Sequence, residues 1–359
     1  MVVYQMLVTI VRGDAIGNSA CMTGEVIKGL GFQTQIYAEN CGPGFPRGFV
    51  LPVDQMPNPE KEDVVIYHMC ECSKINQMLP RWDCKKVAVY HNTTPPEFFH
   101  GFSDETEQRL YQSQREIARL KNCFDRVIAD SEFNKENLIR MGYPPEKIAV
   151  VPIILDFEDY FQPPDQKTLR KYSDGCTNLL FVGRVAPNKK FEDIIRIFAY
   201  YKKTYDTTAR LILVGSAFTQ KYMDYLNAYI KEIGVEDVVF PGHISFPEIL
   251  SFYSLADVFL CMSEHEGFCV PLLEAMLFDI PIIAYRSTAI PGTLGESGIL
   301  SDTKDPVFIA ALIDRIRNDQ RFRSSIVEGQ ARRLKDFDKK KSIQRFSEEL
   351  QSLICEGGK

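Results

Sequence analysis

Leu179-Leu180-Phe181-Val182 runs directly into Gly183-Arg184-Val185-Ala186-Pro187-Asn188-Lys189-Lys190, then into Phe191, Ile194, Ile195 and Phe198 at helical spacing. An apolar run, a glycine-bearing polar loop and an amphipathic helix, in that order, make one strand–loop–helix unit. The unit recurs downstream. Leu211–Val214, Val238–Pro241, Val258–Cys261 and Pro281–Ala284 read as strands, and Tyr222–Ile233, Phe246–Leu255, Leu272–Phe278 and Pro306–Asn318 as the helices between them. Gly215, Gly242 and Ser263 fall at strand ends, the edge of an open α/β sheet at which ligands bind.

The same alternation runs upstream. Val3–Val11 is strand-like, Gly13 to Asn18 is a tight turn, and Ser19–Leu30 has helical spacing with Gly31 at its end. Gln33–Ala38, Val64–His68, Lys86–Tyr90 and Arg126–Ala129 are further strands, and Thr106–Asn122 and Lys135–Met141 are helices, the second capped by Ser131. Strands separated by helices at this spacing pair in parallel. The fold class expected is α/β, two doubly wound Rossmann-like domains facing each other across a cleft. The proline-bearing stretch Gln162 to Gln166 sets the expected division: a domain over 1–162, another over 163–338, and a helical tail over 339–359. Ile343, Phe346, Leu350 and Leu353 give that tail one apolar face.

Composition narrows the function classes. The chain has 359 residues, 45% of them hydrophobic, and a formal charge of −6 whose acidic excess lies wholly within residues 1–160. Neither half is a basic nucleic-acid module. The apolar runs are strand-sized, far shorter than the about 17–25 residues of a membrane-spanning helix. No charged start with an apolar run and cleavage site is apparent, and ten dilute cysteines suit a reducing compartment. Cys70, Cys72, Cys84 and His68 lack metal-site spacing, so no metal is expected. The expectation is a cytoplasmic protein, peripheral at most at the inner face of the membrane through the basic helix carrying Arg109, Arg115 and Arg119.

Three stretches carry chemistry. In the first, Gly183 to Lys190 can aim backbone amides at an anion, with Arg184 and Lys189 adding charge; the alternative is an ordinary solvated basic loop. In the second, Ser263-Glu264-His265-Glu266-Gly267-Phe268-Cys269-Val270-Pro271-Leu272-Leu273-Glu274 places Glu266 before a helix and Glu274 one turn into it. Two carboxylates so placed can take neighbouring hydroxyls of one ligand, or they are plain helix-terminus acids. The third is His91, directly after a strand, which can bond a phosphate or sugar hydroxyl or carry a proton, or pair with backbone. His68 and His243 hold similar strand-end positions.

Glu266 to Glu274 closely resembles the E-x7-E motif of retaining nucleotide-sugar glycosyltransferases of family 4, which have the GT-B fold. Gly183-Arg184 with Lys189 resembles their phosphate-binding loop. Arg12 to Asn18 and Tyr90 to Pro95 resemble a polysaccharide-assembly branch that includes mannosyl- and rhamnosyltransferases. The resemblance implies that Arg184 and Lys189 bind the donor diphosphate and Glu274 the ribose. It implies that Glu266 contacts the transferred sugar and that Phe268, Cys269 and Val270 present amides to it. By the same resemblance Gly17 approaches the donor phosphates, His91 lies beside donor sugar or acceptor, Gly183 and His243 line the nucleotide site, and the tail helix packs back on the first domain.

The implied activity is hexosyl transfer, retaining and metal-independent, from a nucleoside-diphosphate sugar to a glycan or lipid-linked acceptor. GDP-mannose is the favoured donor, with UDP-glucose, UDP-N-acetyl sugars and dTDP-rhamnose behind it and no further cofactor. A phosphorylase, an epimerase-like enzyme and a non-catalytic nucleotide-sugar-binding scaffold are the rivals. Three departures stand out: Cys269 and Lys190 where the family carries glycine, and Gly292 where it carries glutamate.

Overall fold

The computed structural model describes residues 1–355, and the last four residues of the expected tail lie outside them. The chain divides into two units. The first is made of residues 1–96, 105–155 and those from Phe337 on; the second of Glu97–Asp104 and Asp156–Asp336.

Unit 1 contains β1 (Val2–Ile10), α1 (Ala15–Gly29), β2 (Gln33–Cys41), β3 (Val50–Pro52), β4 (Val64–Met69), α2 (Ile75–Met78), β5 (Lys85–Tyr90), α3 (Asp104–Arg119), β6 (Arg126–Ala129), α4 (Glu132–Arg140) and β7 (Ile148–Val150). Its seven strands are all parallel, in the order β3-β2-β1-β4-β5-β6-β7. Alternate side chains serve opposite faces. Tyr4, Met6, Val65, Tyr67, Ala88 and Tyr90 pack on one side, and Val3, Val64, Ile66, Val87 and Val89 on the other. Because both faces are covered, these strands read as continuous apolar runs rather than alternating ones.

Unit 2 contains α5 (Gln166–Tyr172), β8 (Asn178–Val182), α6 (Phe191–Thr204), β9 (Arg210–Val214), α7 (Gln220–Ile233), β10 (Val238–Gly242), α8 (Phe246–Leu255), β11 (Val258–Cys261), α9 (Val270–Leu277), β12 (Ile282–Tyr285), α10 (Ile290–Leu294), β13 (Ile299–Ser301), α11 (Pro306–Asn318) and α12 (Gln320–Leu334). Its six strands are also parallel, ordered β10-β9-β8-β11-β12-β13. The order reverses between β8 and β11, so the loops that leave these neighbours diverge and open a crevice at the sheet's carboxyl edge.

The last helix, α13 (Lys339–Cys355), belongs to unit 1. Its Phe346, Leu350 and Leu353 join the cluster of Val3, Val64 and Val87. Lys85 Nζ donates to the carbonyls of Leu353 and Ile354 at 2.6 and 2.9 Å, a cation at a helix C-terminus. Among the described residues no helix is long and apolar enough to cross a membrane.

Two expectations need correction. The first helix starts at Ala15 rather than Ser19, because the Asp14 side chain caps it by accepting from Gly17 N at 2.5 Å. Gly17 therefore sits in the first helical turn, where a Cβ would lie 2.1 Å from the Val11 carbonyl oxygen. Residues 97–104, read from sequence as part of the first domain, pack within unit 2. Phe99 meets Phe218 at 4.9 Å and Phe102 meets Tyr222 at 5.1 Å between ring centroids.

Candidate functional site

The loop leaving β8 is shaped by its backbone. Gly183 N donates to Val214 O at 2.9 Å, and a Cβ on Gly215 would lie 2.0 Å from Gly183 O, so the ends of β8 and β9 approach as only glycine permits. Val185 N then donates to Ser216 O, and Phe218 N to Val185 O. The exposed Arg184 lays its guanidinium over the Phe218 ring, 5.5 Å from the centroid. His243, just past β10, shares a 3.3 Å contact between its Nδ1 and Ser216 Oγ, so it belongs to the same rim.

Pro187–Lys189 forms a tight helical turn that aims Lys189 inward. Its Nζ lies 2.5 Å from Glu266 Oε2, in the loop leaving β11. Asn188 locks the two loops together: its Nδ2 donates to His265 O at 3.0 Å, and its carbonyl accepts from Glu264 N at 2.9 Å. Burial pulls the Lys189 ammonium down, but Glu266 and the nearby cysteines outweigh it, and the net shift is upward. The amine is held protonated. Glu266 is 6% exposed, and its other oxygen, Oε1, has no hydrogen-bond partner among the described residues.

Around this pair the loop is well held. Glu266 N donates to Thr288 Oγ1 at 2.9 Å, and Thr293 Oγ1 donates to Phe268 O at 2.5 Å. Phe268 is buried, and Cys269 stands at the start of α9 with φ 72 and no side-chain cap on the helix. The amide of Val270 opens that helix. Cys269 packs back towards the sheet, its thiol hydrogen-bonded to the Cys261 sulfur, which pushes Cys269 up and Cys261 down. Sulfur or oxygen atoms of Cys261, Glu266 and Cys269 lie within 4.8 Å of one another, a cluster of metal-ligand type that spacing did not reveal. Lys189 already supplies positive charge there.

Glu274, one turn into α9, lies apart from the ion pair and meets two tyrosines. Tyr160 OH donates to its Oε1 at 2.5 Å, and Tyr253 OH donates to its Oε2. Burial raises the Glu274 carboxyl, while both tyrosine hydrogen bonds act the other way. Neither Arg184 nor Glu274 joins the Lys189–Glu266 pair among the described residues.

In unit 1, Gly17 follows β1 and His91 follows β5. The His91 ring pairs with side chains rather than with backbone. Its Nδ1 meets Asp130 Oδ2 at 2.7 Å and its Nε2 meets His68 Nδ1 at 3.0 Å, while His68 Nε2 meets Gln5 Oε1 at 3.0 Å. Burial, helped by His91, pushes His68 well below the ordinary histidine range.

Comparison with known proteins accords with this architecture. A family described as Glycosyl transferases group 1 matches residues 170–333, and Glycosyltransferase Family 4 matches residues 34–159. The chain combines a domain like those of group 1 with one like those of family 4 in a GT-B-type fold. Anabaena Alr3699/HepE, solved in complex with UDP-glucose, superposes on this GT-B chain with a TM-score of 0.76 at 18% identity, covering 98% of this chain and 100% of that one. The D-inositol 3-phosphate glycosyltransferase of Acidothermus cellulolyticus is 27% identical over 78% of this chain. The O-antigen chain mannosyltransferase B of Escherichia coli is 23% identical over 69% of it. Each of these two matches spans 65% of the relative's own length.

The departures in the GT-B chain acquire a physical meaning. Lys190 has φ 54 and Cys269 has φ 72, so both positions at which the resemblance expects glycine are left-handed. The Lys190 amine pairs with Glu264 at 3.4 Å and Glu192 at 3.7 Å. Gly292 offers its carbonyl to Arg333. Sequence spacing missed Asn188 as the tie between the loops, and it missed Tyr160 and Tyr253 as partners of Glu274. The aromatic cluster Phe157–Phe161 was the available signal for Tyr160.

Proposed function

We propose that the chain is a retaining, metal-independent hexosyltransferase that moves a hexose from a nucleoside-diphosphate sugar to a hydroxyl of a glycan or lipid-linked acceptor. The observation that carries this reading is the buried Lys189–Glu266 pair at the β8–β11 switch point, with Glu266 Oε1 unpartnered. Leaving a buried acceptor unsatisfied costs about 1–3 kcal/mol. A sugar hydroxyl entering there would remove that cost.

Negative charge grows on the departing diphosphate. An ammonium has three donors, and Glu266 takes one of those of Lys189, so others remain for phosphate oxygens. Arg184 on the same rim adds a planar fork of donors, and the amides of Phe268, Cys269 and Val270 face the sugar. Donors held in place before reaction stabilise the transition state more than the ground state. Glu274 takes the ribose, and Gly183 and His243 line the nucleotide site. The roles of Gly17 and His91 rest on the resemblance alone. We place the reaction in the cytoplasm, at or near the inner face of the membrane.

GDP-mannose is the first choice of donor, a choice supported by the E. coli relative's description as a mannosyltransferase. UDP-glucose is the second reading, favoured by the UDP-glucose complex of the Anabaena structure. Calorimetry with GDP-, UDP- and dTDP-sugars, followed by transfer assays with the best binder, separates them. Glu266→Ala is expected to abolish transfer while donor binding persists. Unchanged transfer by that variant would overturn the assignment, and donor binding by the wild type without transfer to any acceptor would replace it with a binding protein.

A further inference from the structure

Each oxygen of the Glu274 carboxylate already accepts a tyrosine hydroxyl. Tyr253 OH donates to Oε2, and Tyr160 OH donates to Oε1 at 2.5 Å. The two tyrosines differ in how they are held. Tyr253 is 1% exposed within α8, its ring stacked between Phe259 and Phe278 at centroid distances of 6.4 and 5.3 Å. Tyr160 lies on a single helical turn, Phe157–Phe161, where the chain passes from unit 1 into unit 2. Its neighbours Glu158, Asp159, Phe161 and Gln162 are all exposed. Besides Glu274, two edge-on rings contact it, Phe246 at 5.1 Å and Phe157 at 6.2 Å between centroids.

We propose that Tyr160 is an internal stand-in for a ribose hydroxyl on Glu274, so that the turn Phe157–Phe161 is a latch which a nucleoside diphosphate displaces. The inference rests on the reading of Glu274 as the ribose ligand. A phenol and a sugar hydroxyl are both O–H donors, and each satisfies the same carboxylate oxygen. With the site empty, Tyr160 keeps the partly buried Glu274 from standing unsatisfied. When a ribose arrives, one charge-assisted hydrogen bond replaces another, Tyr253 stays in place, and the turn loses its anchor. Nucleotide affinity is lowered by the strength of the contact that is given up.

The test is calorimetry on the full chain with UDP, GDP and their 2′,3′-dideoxy analogues, for wild type, Tyr160→Phe and Glu274→Gln. Tyr160→Phe is expected to bind the better ribonucleotide about tenfold more tightly, since a hydrogen bond to a charged group no longer has to be exchanged. Its affinity for the dideoxy analogue should not change. Weaker or unchanged ribonucleotide binding by Tyr160→Phe overturns the latch while leaving the Glu274 reading intact. Unchanged binding by Glu274→Gln, or no binding of either nucleotide by the wild type, overturns the Glu274 reading itself. Hydrogen exchange on the unmodified protein gives an independent measure. Saturating nucleotide should speed amide exchange across 157–161, and slowed or unchanged exchange there overturns the latch.

Discussion

Lys189 Nζ lies 2.5 Å from Glu266 Oε2, a pair whose side chains are 20% and 7% exposed. It joins the loops that leave two neighbouring strands. Lys189→Met leaves the carboxylate buried without compensation and is expected to lower the unfolding free energy by about 3 kcal/mol. Adding Glu266→Gln should restore most of that loss without restoring transfer. Urea titrations of the wild type, the single and the double variant measure this, and an equal loss in both variants would show that charge is not what holds the loops.

Lys190 stands in left-handed backbone at φ 54. A side chain there costs roughly 1–2 kcal/mol, and its partly exposed ion pairs return little. Lys190→Gly is expected to raise stability by about 1 kcal/mol, and Lys190→Val to lower it. Cys269→Gly should gain less, because it gives up the contact with Cys261. Thermal unfolding checks the order. A destabilised Lys190→Gly would show that the side-chain pairs outweigh the backbone.

Gly215→Ala places a methyl 2.0 Å from Gly183 O, which is backbone and cannot swing aside. The expected loss is about 2–3 kcal/mol, together with weaker nucleotide binding, since the loop carrying Arg184 must move. Gly234→Ala is the control. Its φ of 65 is also left-handed, but among the described residues nothing beyond the adjoining chain lies within 4 Å of the added carbon. Equal losses in the two variants would assign the effect to backbone angle rather than to the close approach.

Acid should destabilise the fold. Burial holds the His265 imidazole at about 4, against the upward pull of Glu266. An unfolded histidine takes up its proton near 6.5 while the folded one does not. The unfolded state therefore binds more protons in that window, and stability falls as pH drops from 6.5 towards 4. His265 accounts for about 3 kcal/mol of the fall, and the buried His68 acts in the same direction. Urea midpoints measured from pH 7 to about 4.5 should decline less steeply in His265→Gln than in wild type. Parallel declines would remove His265 from the account.

Much of the architecture is legible in residues close together in the chain. The helices Phe246–Leu255 and Pro306–Asn318 have the bounds that their spacing predicts, because apolar periodicity and caps act within a few residues. The first helix starts early because Asp14, read as part of the turn, is its cap. Residues 97–104 were unreadable for another reason. Phe98, Phe99 and Phe102 stand in a polar loop without periodicity, and what they pack on comes from residues over a hundred positions away.

By itself the amino-acid order determined two runs of strand and helix, glycine loops at their strand ends, and two glutamates eight residues apart, one before a helix and one a turn into it. These follow from local stiffness and from the need of each apolar stripe to leave water. Only the tertiary structure decided that Lys189 meets Glu266, 77 residues away, and that Tyr160 meets Glu274, 114 residues away. Which strand lies beside which is set by packing of whole elements, and a pattern that repeats every two or four residues carries no record of that choice.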